Sequence, residues 1–589
     1  MVRRHRADRQ STVDYIGEDL MGSAAERRPA LVAWFAIWTV LTAFSGTAVA
    51  AAWMNHDVGW YLYAGGAWLN GAVLYRDVVD PNPPLIIALM AAVVWSARVL
   101  GLRLTTLFQT AVFVACTAVT GCAAALVRRI YSAETARLLL SASIAFLLLP
   151  LAGADYGQRE HLATLLVLPY ALGSAARIAA RPLSPRAELA LAVLAGAGFA
   201  LKPHFLLAWI GLEAVKFVSQ ERPRALLTPG AVAIAAVLLS YWLAVLVFVP
   251  QYFDVASDVM RVYRGLNAPA ATLLRLPDIR VWAVAALVLA LAPLPRVDRR
   301  ICLGIFAVCT GFLAAALSQQ KGWGYHLYPF RVFGGLFFAM AIAANVHDGR
   351  ASMRFVRALQ RAVTAAIIAA LMLAAWKYRK EIMRPSGIEQ VELLEALVRR
   401  ERVDSMAMLS MRTMVFPAFP IVTYTGASWA MRHNSLWFLP GLYAEQLRAG
   451  GPEIPWRALH AMDPLERRYF EEIVADLCAH PPRLLLVEPP PAWARPGGGS
   501  IDLVEYYQQD ERFARLFAGY RLNEQLGPFS AYLRRNDLPC SADQGIPQPP
   551  LISPVSAARP APDRPHARST CIRAHPVRGE SSLPPSHNP

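Results

Sequence analysis

Between positions 31 and 376 the chain returns repeatedly to apolar stretches of similar length, and this repetition limits the fold more than any motif does. The stretches fall at roughly 31–53, 104–127, 135–152, 161–178, 187–201, 204–219, 227–250, 278–294, 301–317, 331–346 and 360–376. A helix needs about 20 residues to cross a bilayer, and its backbone polar groups must be satisfied internally there. With 56% of its 589 residues hydrophobic and 17% charged, the chain carries more apolar surface than a soluble core buries at this length. The reading is a mainly α, polytopic membrane protein with about 11 transmembrane helices.

A further apolar stretch, PPLIIALMAAVVWSARVL at 83–100, decides the topology, because counting it as a span inverts everything after it. If it lies along the outer surface, the cytoplasmic loops contain Arg128 and Arg129; Arg177, Arg181 and Arg186; Lys216, Arg222 and Arg224; Arg296, Arg299 and Arg300; and Arg350, Arg354 and Arg357. These agree with the Arg-rich N-terminus under the positive-inside rule, whereas the opposite choice exports all of them. Residues 1–30 are therefore expected to be a cytoplasmic arm before an uncleaved first span. Residues 54–103 form one large external loop with two interfacial helices. The net charge of +16 sits in short clusters between apolar runs, which excludes nucleic acid as the partner and favours membrane lipids.

After residue 377 the composition turns polar, with a helix signal in IEQVELLEALVRRERV and strand signals in SMAMLS, FPIVTYT and RLLLVEPP, closing near AYLRRN. This predicts a small α/β domain over 377–540, extracytoplasmic, followed by a Pro-rich disordered tail over 541–589. Of seven cysteines, Cys116, Cys122, Cys302 and Cys309 lie in apolar runs and read as small buried hydrophobes. Cys478 and Cys540 leave a disulfide open in an oxidising compartment.

Polar groups at membrane level are costly and by default serve a site or one another. Here they gather on the external side. The first loop has Asp57, then Arg76, Asp77, Asp80 and Asn82 in LYRDVVDPNPPL; the second is DYGQREH, with Asp155, Arg159, Glu160 and His161. LKPHF supplies Lys202 and His204, QYFDVASDVMRVYRG has Asp254, Asp258, Arg261 and Arg264, and QQKGWGYHLYP brings Lys321, Tyr325 and His326. Each has a plainer reading. Asp57 suits a helix cap. Trp60, Tyr61, Ala64, Ala67 and Trp68 recur at the spacing of an amphipathic interfacial helix. Arg159 with Glu160 fits a simple ion pair, His161 a helix cap, Lys202 a snorkelling side chain, and His326 interfacial packing.

An acid just outside the first span, an aromatic helix, and then Gly71, Leu74, Tyr75, Arg76, Asp77, Asp80, Pro83, Pro84 and Leu85 together resemble the GT-C superfamily of membrane glycosyltransferases, in particular the branch of protein O-mannosyltransferases and the lipid A aminoarabinose transferase. The specific part of the likeness is this first loop. It implies inverting transfer of one sugar from a polyprenyl-phosphate donor to an acceptor, lipid, glycan or protein, at the outer face of a bacterial inner membrane. Asp57 would be the general base, with Asp155 or Glu160 orienting acceptor or base. Arg159, Lys202, His204, Lys321 and His326 would neutralise the leaving phosphate, and Arg76, Asp80, Asn82, His161 and Tyr325 would complete the substrate site. The chain departs from several relatives at Asn82, where they carry a Lys before the Pro-Pro pair. No metal-ligand spacing indicates a cofactor, although distant members use a divalent ion that outer carboxylates hold. Two other classes compete: a transporter or lipid flippase, for which internal repeats and broken midplane helices would be expected, and a scaffold that binds through its outer domain.

Overall fold

The computed structural model describes residues 36, 38–43, 46, 52–220, 228–347, 354–383, 387–449, 454–488 and 501–536. The N-terminal arm, most of the first predicted span and the tail lie outside these residues. The first half is helical: α1 His56–Leu69, α2 Leu85–Leu100, α3 Leu104–Ile130, α4 Glu134–Leu148, α5 Arg159–Ile178, α6 Pro185–Ala200, α7 Leu206–Gln220 and α8 Pro229–Phe248. Then come α9 Gln251–Tyr263, α10 Pro277–Leu291, α11 Arg296–Ser318, α12 Tyr328–His347 and α13 Arg354–Met383.

Among the described residues, length and composition single out six segments able to cross a membrane: Leu104–Ile130, Glu134–Asp155, Arg159–Ile178, Pro229–Phe248, Arg296–Ser318 and Gly324–Asn345. The predicted spans at 187–201, 204–219 and 278–294 are helices of 16, 15 and 15 residues, no longer than the 16-residue α2 that was read as lying outside the bilayer. By the length criterion, then, α2 and these three stand alike.

Helix starts follow from local chemistry. Ser184 and Thr228 each precede a proline, and their hydroxyls accept the backbone N–H of Ala187 and Ala231, capping α6 and α8. Small residues set the crossing of α7 and α11. A Cβ on Gly311 would lie 2.3 Å from Ala208 Cα, and one on Gly211 3.0 Å from Ala307 O, the close backbone approach that packs helices in lipid. Lys216 on α7 is 1% exposed, bonded to Glu213 and Tyr170 at 2.9 and 3.1 Å. It is thus no free cytoplasmic cation, and its place in the charge pattern is corrected.

The chain ends in a mixed sheet. After α14, Ile388–Arg400, come β1 Ser405–Leu409, α15 Ala418–Thr425, β2 Ser428–Trp429, α16 Pro464–Ala479, β3 Leu484–Val487, β4 Tyr520–Leu526 and β5 Phe529–Arg534. The strand order is β2-β1-β3-β5-β4, with β1 parallel to β2 and β3, and β5 antiparallel to β3 and β4. All four residues of β3 are buried, as a central strand covered on both faces requires. FPIVTYT, expected as a strand, is helical in α15, where Pro420 lacks the N–H a ladder needs. Cys478 is disulfide-bonded, and Cys540 falls outside the described residues.

This C-terminal domain sits on α1. Thr423 donates to Gly59 O at 3.0 Å, Tyr63 donates to Trp429 O at 3.2 Å, and the rings of Trp60 and Tyr63 meet Phe419 at 5.6 and 5.8 Å. Residues 58–67 are all buried. Trp60 and Tyr61 therefore pack against protein, which corrects the expectation of rings among headgroups for these two, while Trp68 at the end of the stripe is exposed. Arg432 and His433 bond Asp476 and Glu472 of α16 at 2.7 Å each, and Val79 N–H donates to Arg432 O at 2.8 Å. On α9, Asp258 pairs with Arg468.

On its other side α1 lies against α2 so closely that a Cβ on Gly65 would stand 2.6 Å from Ala91 N and 3.0 Å from Ala91 Cα. Gly65→Ala is expected to destabilise the protein by about 1–3 kcal/mol through overpacking against backbone that cannot yield. Gly59→Ala, which meets the movable Thr423 hydroxyl at 3.2 Å, should cost less. Thermal unfolding of the purified variants checks the order.

Candidate functional site

Asp57 lies in the first turn of α1, but it is not the cap. Asn55 is, its Oδ1 accepting the Asp57 N–H at 2.9 Å, and its Nδ2 donates to Ala154 O at 2.8 Å, joining the start of α1 to the turn ahead of α5. The Asp57 carboxylate is thereby left for other work. Gln158 Nε2 donates to Oδ2 at 2.7 Å, and His56 Nε2 lies 3.5 Å from Oδ1. The side chain is 24% exposed, so one carboxylate is held in place yet reachable. One turn on, on the same helix face, the Tyr61 hydroxyl accepts from Asn82 Nδ2 at 3.2 Å.

The LYRDVVDPNPPL loop is buckled by Asp80. Its Oδ2 accepts the Trp60 indole N–H and its Oδ1 the Asn82 N–H, both at 2.7 Å. Complete burial pushes its carboxyl up to about 6, with the two hydrogen bonds and nearby Arg159 pulling the other way. Tyr75 turns the chain at a φ of 66°, and its hydroxyl donates to Asn82 O at 2.6 Å. The product of this bracing is a fixed Asn82, whose Oδ1 accepts from Arg159. Arg76 takes no part: its side chain is 62% exposed and bidentate on Asp77.

Opposite stands a buried chain of charges. Arg159 donates to Glu160 Oε1 at 2.8 Å, Lys202 to the same oxygen at 3.2 Å and to His326 Nε2 at 3.1 Å. Burial lowers Lys202 to about 7, the Arg159 charge adding to the effect and Glu160 opposing it. Four buried atoms of this group have no hydrogen-bond partner among the described residues: Arg159 Nε, Glu160 Oε2, His326 Nδ1 and His204 Nδ1. With Lys202 charged, it only donates, so His326 Nε2 accepts and Nδ1 carries the proton; in that state the cluster holds two unmatched donors, Arg159 Nε and His326 Nδ1. Tyr325 packs on His326 at 4.4 Å between ring centroids and lies within electrostatic reach of Asp57, Glu160 and Arg159. Carboxylate and cations thus border one region.

The structure brings together Asp57, Asp80, Asn82, Arg159, Glu160, Lys202, Tyr325 and His326, with His204 acting electrostatically on His326. Asp155 lies within reach of Asp57 and Glu160. His161 goes elsewhere: its Nδ1 accepts the Gly157 N–H at 2.9 Å and its Nε2 bonds Leu148 O at 2.9 Å, which commits both nitrogens to the backbone. Lys321 donates to Tyr263 O and, at 2.6 Å, to Asn267 Oδ1, and its half-burial lowers it to about 8. Sequence reasoning passed over Gln158, although it stands inside DYGQREH, and Tyr61, which it absorbed into the aromatic stripe. Among the described residues no group of three His, Cys, Asp or Glu is placed to hold a metal ion.

Glu160→Gln removes the charge that compensates two buried cations, and a loss of about 3 kcal/mol is expected. Lys202→Met, which leaves Arg159 paired, should lose less; unfolding midpoints of the two variants in detergent test the ranking.

The sequence matches no family model and no curated protein. Among solved structures it is similar to the crystal structure of the Archaeoglobus fulgidus oligosaccharyltransferase tethered with an acceptor peptide containing the NVT sequon via a disulfide bond. That likeness has 12% identity, covers 86% of this chain and 74% of that one, and reaches a TM-score of 0.42, too weak to carry an argument about this chain.

Proposed function

We propose that the protein is an inverting glycosyltransferase that moves a sugar from a polyprenyl-phosphate carrier to an acceptor at the outer face of a bacterial inner membrane, in cell-envelope synthesis. The observation that carries this reading is a partly exposed carboxylate, Asp57, bordering the same region as a buried cationic cluster with two unmatched donors, Arg159 Nε and His326 Nδ1. The first-loop resemblance supports the same assignment.

In this reading the acceptor hydroxyl donates to Asp57 and gives up its proton as its oxygen attacks the anomeric carbon. The bond from that carbon to the phosphate oxygen breaks on the opposite face, and its electron pair leaves on the carrier phosphate. Configuration at the anomeric carbon inverts. Negative charge grows on the phosphate, and Arg159, Lys202 and His326 meet it with N–H groups already fixed by Glu160 and by packing, so little reorganisation is needed. Asn82 has no charge to offer and serves by holding Arg159. The lipid tail of the carrier requires a site open to the bilayer, which suits a cluster at the ends of apolar helices.

Purified protein given a panel of polyprenyl-phosphate sugars is expected to release carrier phosphate with at least one donor. Asp57→Asn should reduce that release by at least about 100-fold at normal abundance. Undiminished turnover by Asp57→Asn would remove the assignment, and translocation of carrier lipid without phosphate release would favour a flippase.

A further inference from the structure

We propose that Gln158 is the positioning residue of Asp57 and that its carbonyl oxygen selects an acceptor with a second hydrogen-bond donor beside the reacting hydroxyl, as a sugar with vicinal hydroxyls has. The inference rests on the transferase reading above.

Gln158 occupies the N-cap position of α5, yet its side chain makes no capping bond to that helix, the usual duty of a polar residue there. It turns instead to Asp57, with Nε2 donating at 2.7 Å. An ionised carboxylate only accepts, so the amide must present its nitrogen to Asp57 and its oxygen away. That oxygen is buried without a hydrogen-bond partner among the described residues, on a residue 2% exposed. Buried carbonyl oxygens are nearly always paired.

The backbone that carries Gln158 is held on both sides. Its own N–H donates to Asp155 O at 3.0 Å, Gly157 N–H donates to His161, and Ala154 O accepts from Asn55. The amide is therefore presented in one orientation. Because a single planar group carries both the N–H on Asp57 and the open oxygen, a molecule whose hydroxyl reaches Asp57 can reach that oxygen only with a donor on a neighbouring atom. An acceptor with adjacent hydroxyls meets both requirements, and a simple alcohol meets one.

The test uses the purified full-length protein, a synthetic polyprenyl-phosphate hexose as donor, and two surrogate acceptors, methyl α-D-glucopyranoside and butan-1-ol. The wild type should favour the glucoside by roughly tenfold in kcat/KM, the order expected of one well-made hydrogen bond. Gln158→Leu, of similar volume, should lose that preference and lower kcat with both acceptors, leaving the donor KM unchanged. If Gln158→Leu does not fold, Gln158→Asn, whose shorter amide withdraws both contacts, should lose the preference in the same way. A preference retained in the variant, absent in the wild type, or a change confined to the donor KM overturns the role of Gln158. Carrier release from no donor, or undiminished release by Asp57→Asn, overturns the transferase reading and this inference with it.

Discussion

Glu160 is a carboxylate with no solvent exposure, and the helix ends around it are arranged by the need to keep it paired. Its Oε1 takes both Arg159 and Lys202. A buried charge left alone is among the costliest states a protein can hold, so this one contact draws the start of α5 and the turn ahead of α7 to a point. Lys202 passes the constraint to His326, before α12, and Arg159 passes it to Asn82 in the first loop. Four separated stretches of chain are thus registered on one oxygen. Asp57 inherits its place from that registration, through the Asn82 contact with Tyr61 one helical turn away.

The same contacts account for Asn82, where relatives in the resembling branch carry a lysine. Here the Arg159 guanidinium occupies the space in front of that position and donates to Asn82 Oδ1. A lysine would set a second cation against the first. In the proposed reaction, the cation facing the phosphate thus stands at the start of α5 and not in the loop, and Glu160 keeps it aligned.

Much of this region is legible in the sequence, because an acid or base at the end of an apolar run stands out against it. Arg159, Glu160, Lys202 and His326 do come together. Other residues are hidden for definite reasons. The choice between Asn55 and Asp57 as the cap depends on the backbone at Asn55, with φ −55° and ψ 138°, which residue types alone do not specify. Arg76 pairs with its own neighbour in the chain, and His161 satisfies the backbone of a turn, outcomes set by geometry over a few residues. Gln158 is uncharged, so a search for charges passes it by. The helices follow from apolar period and length, whereas the seating of the C-terminal domain on α1 leaves no local pattern, since it joins distant residues.

That seating bears on the order in which the molecule is made. Gly59 and Tyr63 are locked by partners 364 and 366 residues further along the chain, and chains emerge N-terminus first. The helix with Asp57 therefore waits, with Val58 to Ala67 short of much of their final cover, until the segment around Phe419 to His433 has been made and has folded. A chain interrupted between Met383 and Phe419 carries α1 to α13 and still has an unfinished candidate site. Completion of synthesis is therefore what finishes that site.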